Sequence, residues 1–190
     1  KHIEQIENVI AGYDKASGSQ LVGKYDVGRL AEILGDDGGL HAQMDEGFLG
    51  LLKQMREAYE SPVEVPKTLN ATLRDYQKEG FEWMARLTSW GAGASLADDM
   101  GLGKTVQTIA LLLHRAEQGP SLVVAPKSLV LNWENELKKF APSLRAININ
   151  KEKNKKMLVE GAREGDVVIT TYGVLVTQKD TLTRKNWNVI

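Results

Sequence analysis

The sequence has no cysteine in its 190 residues, which excludes disulfide bonds and thiolate metal sites and suits a cytosolic protein. Its three histidines, at positions 2, 41 and 114, lack the spacing of metal ligands, so no zinc site is expected. No apolar run approaches the roughly 20 residues that a membrane-spanning helix needs. The remaining composition, 42% hydrophobic and 26% charged residues, is typical of a globular protein with one core and room for a small appendage.

The first residue is Lys1 and not methionine, and no charged, apolar and small-residue pattern follows it. We therefore expect a piece of a longer protein, in which targeting signals cannot be judged from these residues.

The net charge of −1 combines an acidic part and a basic part. Residues 1–66 carry 6 basic and 12 acidic side chains, whereas residues 67–190 carry 18 basic and 13 acidic ones. The second part is therefore basic overall, which permits contact with a polyanion.

Two prolines, Pro62 and Pro66, mark an extended linker, because proline excludes regular helix. Before the linker, apolar residues at helical spacing predict helices at 3–12, 27–34 and 41–59. We predict a helical N-terminal region with its linker over residues 1–66 and a second domain over residues 67–190.

The second domain is predicted to begin with a helix capped by Thr72, with Asp75 as the partner of the cap three residues later. The side chains that we expect on its inward face are Tyr76, Gly80, Trp83, Leu87 and Trp90.

Short apolar runs and helical patterns then alternate along the chain. The runs predict strands at 94–97, 122–125, 146–149, 167–170 and 189–190. The helical patterns cover 105–117, 129–140, 152–162 and 173–178. This alternation predicts an α/β fold, a parallel sheet with helices on both faces.

A glycine-rich turn connects the first predicted strand to the helix that follows it. Residues 98–105 read Asp-Asp-Met-Gly-Leu-Gly-Lys-Thr, and the glycines let backbone N–H groups surround phosphate oxygens. The helix start adds about half a positive charge. The Lys104 ammonium would reach the β- and γ-phosphates, and the Thr105 hydroxyl would ligate Mg²⁺. The turn therefore predicts a nucleoside triphosphate site.

The general phosphate-loop pattern has glycine where this sequence has Asp98. Two further stretches accompany the turn, Leu-Arg-Asp-Tyr-Gln-Lys-Glu-Gly-Phe-Glu-Trp at 73–83 and Val-Ala-Pro-Lys-Ser-Leu-Val-Leu-Asn-Trp at 124–133. Together the three resemble the opening motifs of Swi/Snf-family ATPases, the DNA translocases of helicase superfamily two, in which aspartate occupies the position of Asp98. The resemblance covers residues 69–190 and implies a RecA-like lobe that binds ATP and Mg²⁺.

The resemblance also implies the nucleotide contacts. Gln77 matches the family's glutamine that hydrogen-bonds the adenine edge, and a side-chain amide offers the donor and the acceptor which that edge needs. Arg74 is a candidate for stacking on the base, with a plain surface role as the alternative. The predicted binding set is Arg74, Gln77, Met100, Gly101, Leu102, Gly103, Lys104, Thr105 and Val106, with Lys104 and Thr105 catalytic and Thr105 at the metal.

Double-stranded DNA is the implied partner, contacted through its backbone and not through its sequence. Pro126, Lys127 and Ser128 match the family's first DNA-contact motif at a helix start, with Ser128 as a simple N-cap the alternative. Thr170 and Thr171 resemble the second such motif. The family implies a DNA-bound protein as remodelling target, no membrane partner, and a location in the bacterial cytoplasm with the nucleoid or in a eukaryotic nucleus.

In the family, an Asp-Glu pair ends the strand that follows the second DNA motif, and a second lobe supplies arginines to the site. Residues 187–190 read as the beginning of that strand, so we expect the lobe to be incomplete at its C-terminal end. The 190 residues alone are then expected to bind nucleotide without hydrolysing it at the rate of the longer protein. An exposed sheet edge, able to pair with another copy, is a further expectation.

Three alternatives stay open. The first is a strand-separating helicase of the same superfamily. The second is a P-loop kinase or small-molecule transferase, against which the stretches around Gln77 and Lys127 argue. The third is a nucleotide-binding module without activity of its own, in which residues 1–66 dock a partner.

Overall fold

The structure, a computed structural model, describes residues 46–190. These residues belong to two compact units, one comprising 46–63 with 86–94 and the other comprising 64–85 with 95–190. The helices predicted at 3–12 and 27–34 lie outside the described residues. The predicted domain boundary between residues 66 and 67 stays a prediction.

The first unit contains helix α1 (Glu46–Glu60), which confirms the described part of the helix predicted at 41–59. Leu51, Leu52 and Met55 are half-buried and Ala58 is buried, so one face of the helix is covered. The opposite face is solvated, and its Lys53–Glu57 pair, at 3.7 Å, contributes little because both side chains are exposed.

The second unit is built on three strands and most of the helices. The strands are β1 (Ser121–Ala125), β2 (Arg145–Asn148) and β3 (Asp166–Thr171). The helices are α2 (Asp75–Ser89, of which 75–85 belong to this unit), α3 (Lys104–His114), α4 (Val130–Phe140), α5 (Lys155–Glu160), α6 (Tyr172–Thr177) and α7 (Lys179–Arg184). Short 3₁₀ turns at Ala116–Gln118 and Lys127–Leu129 flank β1.

The strands form a parallel sheet in the order β1-β3-β2. Helix α4 connects β1 to β2 and α5 connects β2 to β3, as parallel strands require. The central strand β3 is buried on both faces, which explains the uninterrupted apolar run Val167, Val168 and Ile169. The registers pair Ala125 with Thr171 and Asn148 with Ile169.

Helices cover both faces of the sheet. On one face, Leu122 and Val168 pack in a cluster with Val159 of α5 and Leu182 of α7. On the other, α4 contacts β2 and β3, and α3 contacts α4. The predicted fold class, a parallel sheet with helices on both faces, is confirmed.

The strand predicted at 94–97 does not form, since these residues have no regular structure. The run predicted at 189–190 is reduced to a single parallel bridge between Val189 and Ser121, in which Leu122 N–H donates to the Val189 carbonyl at 2.8 Å. An apolar run becomes a strand only where a neighbour pairs with its backbone, and the sequence pattern reports burial rather than pairing. Association of two copies through a sheet edge stays a prediction.

Helix α2 begins at Asp75, so Thr72 is not its N-cap as predicted. The N–H of Arg74, the residue before the helix, donates to Oε1 of Gln77 at 3.0 Å. This bond is the returning half of a capping box, in which the third helical residue satisfies a free N–H at the helix start.

The buried face of α2 also differs from the prediction. Phe81, Met84 and Ala85 are buried, whereas Tyr76 and Trp83, which were expected inside, are 37% and 39% exposed. The Phe81 ring packs edge-on against His114 of α3, with 5.7 Å between ring centroids. The contact with α3 therefore determines which face of α2 is buried. The spacing of the large side chains alone does not predict that face.

Asp166 at the start of β3 is buried and holds Arg145 by two hydrogen bonds, from Nε at 2.7 Å and from a terminal nitrogen at 2.6 Å. Burial alone would raise the pKa of Asp166, but the bonds from Arg145 and from the Arg163 N–H outweigh it and lower that pKa. The carboxylate therefore stabilises the fold above its unfolded-state pKa of about 3.8. This stabilisation is lost as the pH falls through the lower folded-state pKa.

We expect Asp166→Asn to lower the free energy of unfolding at pH 7 by about 1–3 kcal/mol, because a buried charged acceptor of three hydrogen bonds is lost. The variant should also lose less stability than the wild type below about pH 4. Urea unfolding at pH 7 and in steps down to acid pH measures both effects. The exposed Asp180→Asn is the control, and an equal loss in that variant would contradict the prediction.

Candidate functional site

The glycine turn leads directly into α3. Gly101 and Gly103 have φ angles of +87° and +80°, in the left-handed region that favours glycine. Gly103 is the N-cap residue of α3, and within the part of the chain that the structure describes no side-chain hydrogen bond caps this helix. Those N–H groups, with the positive end of the helix dipole, can receive an anion.

Lys104, the first residue of α3, folds back over the turn. Its Nζ donates to the carbonyl oxygens of Asp98 at 2.6 Å and of Asp99 at 2.8 Å. A positive charge is thereby held against the turn by neutral acceptors. Thr105 is the next residue of the helix and is half-buried beside it.

Gln77 joins α2 to the turn. Its Nε2 donates to the carbonyl oxygen of Leu102 at 3.0 Å, while its Oε1 accepts from Arg74 N–H at 3.0 Å. A Cβ added at Gly103 would lie 2.4 Å from Gln77 Nε2, so the glycine is needed for space as well as for its φ angle. The Gln77 side chain of α2 therefore occupies the space that a side chain at position 103 would need.

Tyr76 makes a contact that sequence reasoning missed. Its hydroxyl donates to the same Leu102 carbonyl oxygen at 3.3 Å. The only signal for this role is its place directly before Gln77 in the 73–83 stretch, because nothing in the spacing predicts a bond across 26 residues.

The other predicted nucleotide residues surround this centre. Met100 is 97% exposed, Leu102 and Arg74 are exposed, and Val106 is half-buried. The structure thus brings the start of α2, the turn and the start of α3 together.

A second predicted group lies at the carboxyl ends of β1 and β3, which are neighbours in the sheet with Ala125 paired to Thr171. Pro126, Lys127 and Ser128 are all exposed at the end of β1, in and before the 3₁₀ turn Lys127–Leu129. The N-cap residue of α4 is Leu129, so the alternative role of Ser128 as that cap is not seen.

Thr171 and Thr170 occupy different environments. Thr171 is half-buried and caps α6, its Oγ1 accepting from Val174 N–H at 3.4 Å. Thr170 is fully buried in the central strand, and its Oγ1 has no hydrogen-bond partner within residues 46–190. The Thr170 side chain is therefore not accessible to a DNA backbone in this structure, whereas that of Thr171 is partly accessible.

No group of three or more His, Cys, Asp or Glu side chains between residues 46 and 190 could hold a metal ion. No helix in that range is long and apolar enough to span a bilayer.

A family model described as SNF2-related domain matches residues 76–190. Over 132 residues the chain is 40% identical to helicase swr1 of Aspergillus fumigatus, covering 65% of this chain and 8% of that protein. It is 43% identical over 135 residues to the ISWI chromatin-remodeling complex ATPase CHR17 of Arabidopsis thaliana, covering 66% and 12%. The chain therefore spans a small part of the length of these relatives.

Solved structures give the same likeness. The chain resembles the SWI2/SNF2 ATPase core domain of Sulfolobus solfataricus with a TM-score of 0.59 and 39% identity, over 70% of this chain and 27% of that one. It resembles the same organism's SWI2/SNF2 ATPase core in complex with dsDNA with a TM-score of 0.57 and 38% identity, over 67% and 27%.

Proposed function

The chain belongs to the SNF2-related domain family, and we propose that it forms the nucleotide-binding part of an ATP-dependent translocase on double-stranded DNA. The predicted resemblance to Swi/Snf ATPases is confirmed by this membership. The observation that carries the proposal is the convergence of Gln77, the glycine turn and Lys104 at the start of α3. Hydrolysis and translocation are proposed for the full-length protein.

Lys104 would bind the β- and γ-phosphates of ATP. Its ammonium already lies against the turn, where it donates to the carbonyl oxygens of Asp98 and Asp99. When ATP binds, it would donate instead to charged phosphate oxygens, which form stronger hydrogen bonds. The uncapped N–H groups at the start of α3 would bind the same phosphates.

Mg²⁺ would enter with the nucleotide. The ion would be bound by phosphate oxygens and by the Thr105 hydroxyl, a mode that suits Mg²⁺. When bound, the ion neutralises charge that develops on the phosphates.

Gln77 would bind the adenine edge. Its amide donates to the Leu102 carbonyl oxygen at 3.0 Å and to the Tyr76 hydroxyl at 3.5 Å, and it accepts from Arg74 N–H. A second lone pair on Oε1 matches a donor on adenine, and the long bond to Tyr76 would be exchanged for a bond to an acceptor on adenine. One side chain would thus link base recognition to the shape of the turn.

The DNA backbone would lie along the carboxyl ends of β1 and β3. Lys127 and Ser128 are exposed there, and Thr171 is beside them across the β1–β3 register. These groups suit phosphate oxygens and carry no means to read a base sequence. One solved relative is described as a core in complex with dsDNA, and another relative as a chromatin-remodeling complex ATPase, which supports a DNA-bound protein as the target.

The proposal is tested by the DNA dependence of ATP hydrolysis in the full-length protein. We expect duplex DNA to stimulate hydrolysis. Lys127→Ala should weaken DNA binding, and the plot of log affinity against log salt concentration should become less steep by about the amount that one phosphate contact contributes. Lys138→Ala is the control, since Lys138 is an exposed lysine near the opposite end of the adjoining helix α4. A rate of ATP hydrolysis that is the same with and without duplex DNA would refute the translocase function.

A further inference from the structure

Gln107 is fully buried in α3, although the helix around it is apolar. Its Nε2 donates to Oδ2 of Asp98 at 3.3 Å. Its Oε1 is buried with no hydrogen-bond partner within residues 46–190. An unpaired buried amide oxygen destabilises a fold, so stability alone does not account for glutamine at this position.

Gly80 of α2 lies against this amide. A Cβ added at Gly80 would be 2.1 Å from Oε1 of Gln107 and 3.3 Å from its Cδ, so the glycine allows α2 and α3 to approach at this point. Gly80 follows Gln77 by three residues, and Gln107 follows Lys104 by three residues. Residues three apart share a helix face, so the contact lies one helical turn from Gln77 on α2 and one turn from Lys104 on α3.

Asp98 completes the arrangement at the start of the glycine turn. Its carboxylate accepts from Gln107 and its carbonyl oxygen accepts from Lys104 at 2.6 Å. Gln107 therefore contacts α2 and the first residue of the turn while being part of α3.

We propose that Gln107 is a positioning residue of the nucleotide site, which fixes α2 against α3 through Gly80 and fixes the start of the turn through Asp98. The inference rests on the proposed function, because it assigns adenine to Gln77 and phosphates to Lys104. A ligand that spans both helices, ATP, then depends on the Gly80–Gln107 contact. Inorganic tripolyphosphate, which reaches only the turn and α3, does not depend on where α2 lies.

Equilibrium titration of the full-length protein with Mg²⁺-ATP and with Mg²⁺-tripolyphosphate tests this. Gly80→Ala should weaken ATP binding by roughly five- to tenfold and tripolyphosphate binding by less than about twofold. In a Gln107→Ala variant a Cβ added at position 80 no longer meets the Gln107 side chain. Adding Gly80→Ala to that variant should therefore weaken ATP binding by less than about twofold. If Gly80→Ala alone does not fold, Gln107→Ala by itself should lower the ratio of ATP affinity to tripolyphosphate affinity.

Two controls separate positioning from general stability. Gly50→Ala changes a helical glycine of α1 where no described residue lies within 4 Å of an added Cβ, and it should leave both affinities unchanged. Ile109→Val removes a buried methyl group from α3 and should lower the melting temperature without changing the affinity ratio. Alanine normally stabilises a helix relative to glycine, so a loss at Gly80 is due to the contact with Gln107.

The outcomes distinguish this inference from the proposed function. The positioning role would be overturned if Gly80→Ala lowered the affinities for ATP and tripolyphosphate equally. It would also be overturned if Gly80→Ala lowered ATP affinity as much in the Gln107→Ala variant as in the wild type. Either result would leave the nucleotide site itself unaffected. No saturable binding of either ligand by the wild type would overturn the nucleotide site itself.

Discussion

Lys104→Ala in the full-length protein is expected to lower DNA-stimulated ATP hydrolysis by at least about a hundredfold, the size of effect seen when a group that stabilises transition-state charge is removed. The reason is local. Lys104 is the cation that the structure holds against the glycine turn, with its Nζ 2.6 Å and 2.8 Å from two carbonyl oxygens of that turn. Steady-state ATPase assays with saturating duplex DNA measure the loss.

Lys185→Ala is a matched control for this variant. Lys185 also donates to two backbone carbonyl oxygens, those of Glu160 and Ala162, so its removal costs comparable bonds far along the chain from the turn. We expect Lys185→Ala to keep its ATPase activity and Lys104→Ala to keep its melting temperature within a few degrees. Full activity in Lys104→Ala would contradict the assigned role, as would an equal loss in Lys185→Ala.

Gly103→Ala has the second-largest expected effect. The new Cβ would require an alanine at a φ of +80° and would lie 2.4 Å from Gln77 Nε2. The left-handed backbone alone costs about 1–2 kcal/mol. Displacing Gln77 in addition breaks its bond to Leu102, so ATP affinity should fall by at least about tenfold, equivalent to about 1.4 kcal/mol.

Gly101→Ala separates the two contributions to that effect. Gly101 has a similar φ of +87°, but no atom of residues 46–190 lies within 4 Å of an added Cβ. It should therefore show the backbone cost in thermal unfolding without the displacement of Gln77, and so a smaller loss of ATP affinity. Equal ATP affinities in the two variants, measured by titration, would show that the Gly103–Gln77 contact is unimportant.

The elements that the sequence predicted well are those whose pattern is local. The amphipathic spacing of 129–140 predicted α4, observed at Val130–Phe140, and the apolar run at 167–170 predicted β3, observed at Asp166–Thr171. In both cases burial and periodicity within one segment determine the element. The predictions that were wrong depend on partners distant in the sequence. Residues 94–97 have no backbone hydrogen-bond partner among residues 46–190, and the face of α2 is set by contact with His114.

The candidate site also contains features that one stretch of sequence predicts and features that depend on contacts between distant segments. The glycine turn, Lys104 and Gln77 could be predicted because each belongs to a contiguous stretch with its own chemistry. The capping of α2 by Gln77 and the contact of Gly80 with Gln107 could not, because each depends on how closely two helices approach. Thr170 shows the limit of motif matching, since its motif predicted a surface contact and the central strand buries its side chain.

Equilibrium binding of ATP to the full-length protein, with and without Mg²⁺, tests the central claim most directly. We predict saturable binding that weakens when Mg²⁺ is chelated and that weakens strongly in Lys104→Ala. Absence of saturable binding, or binding that is the same in Lys104→Ala, would contradict the assignment of the glycine turn as a triphosphate site.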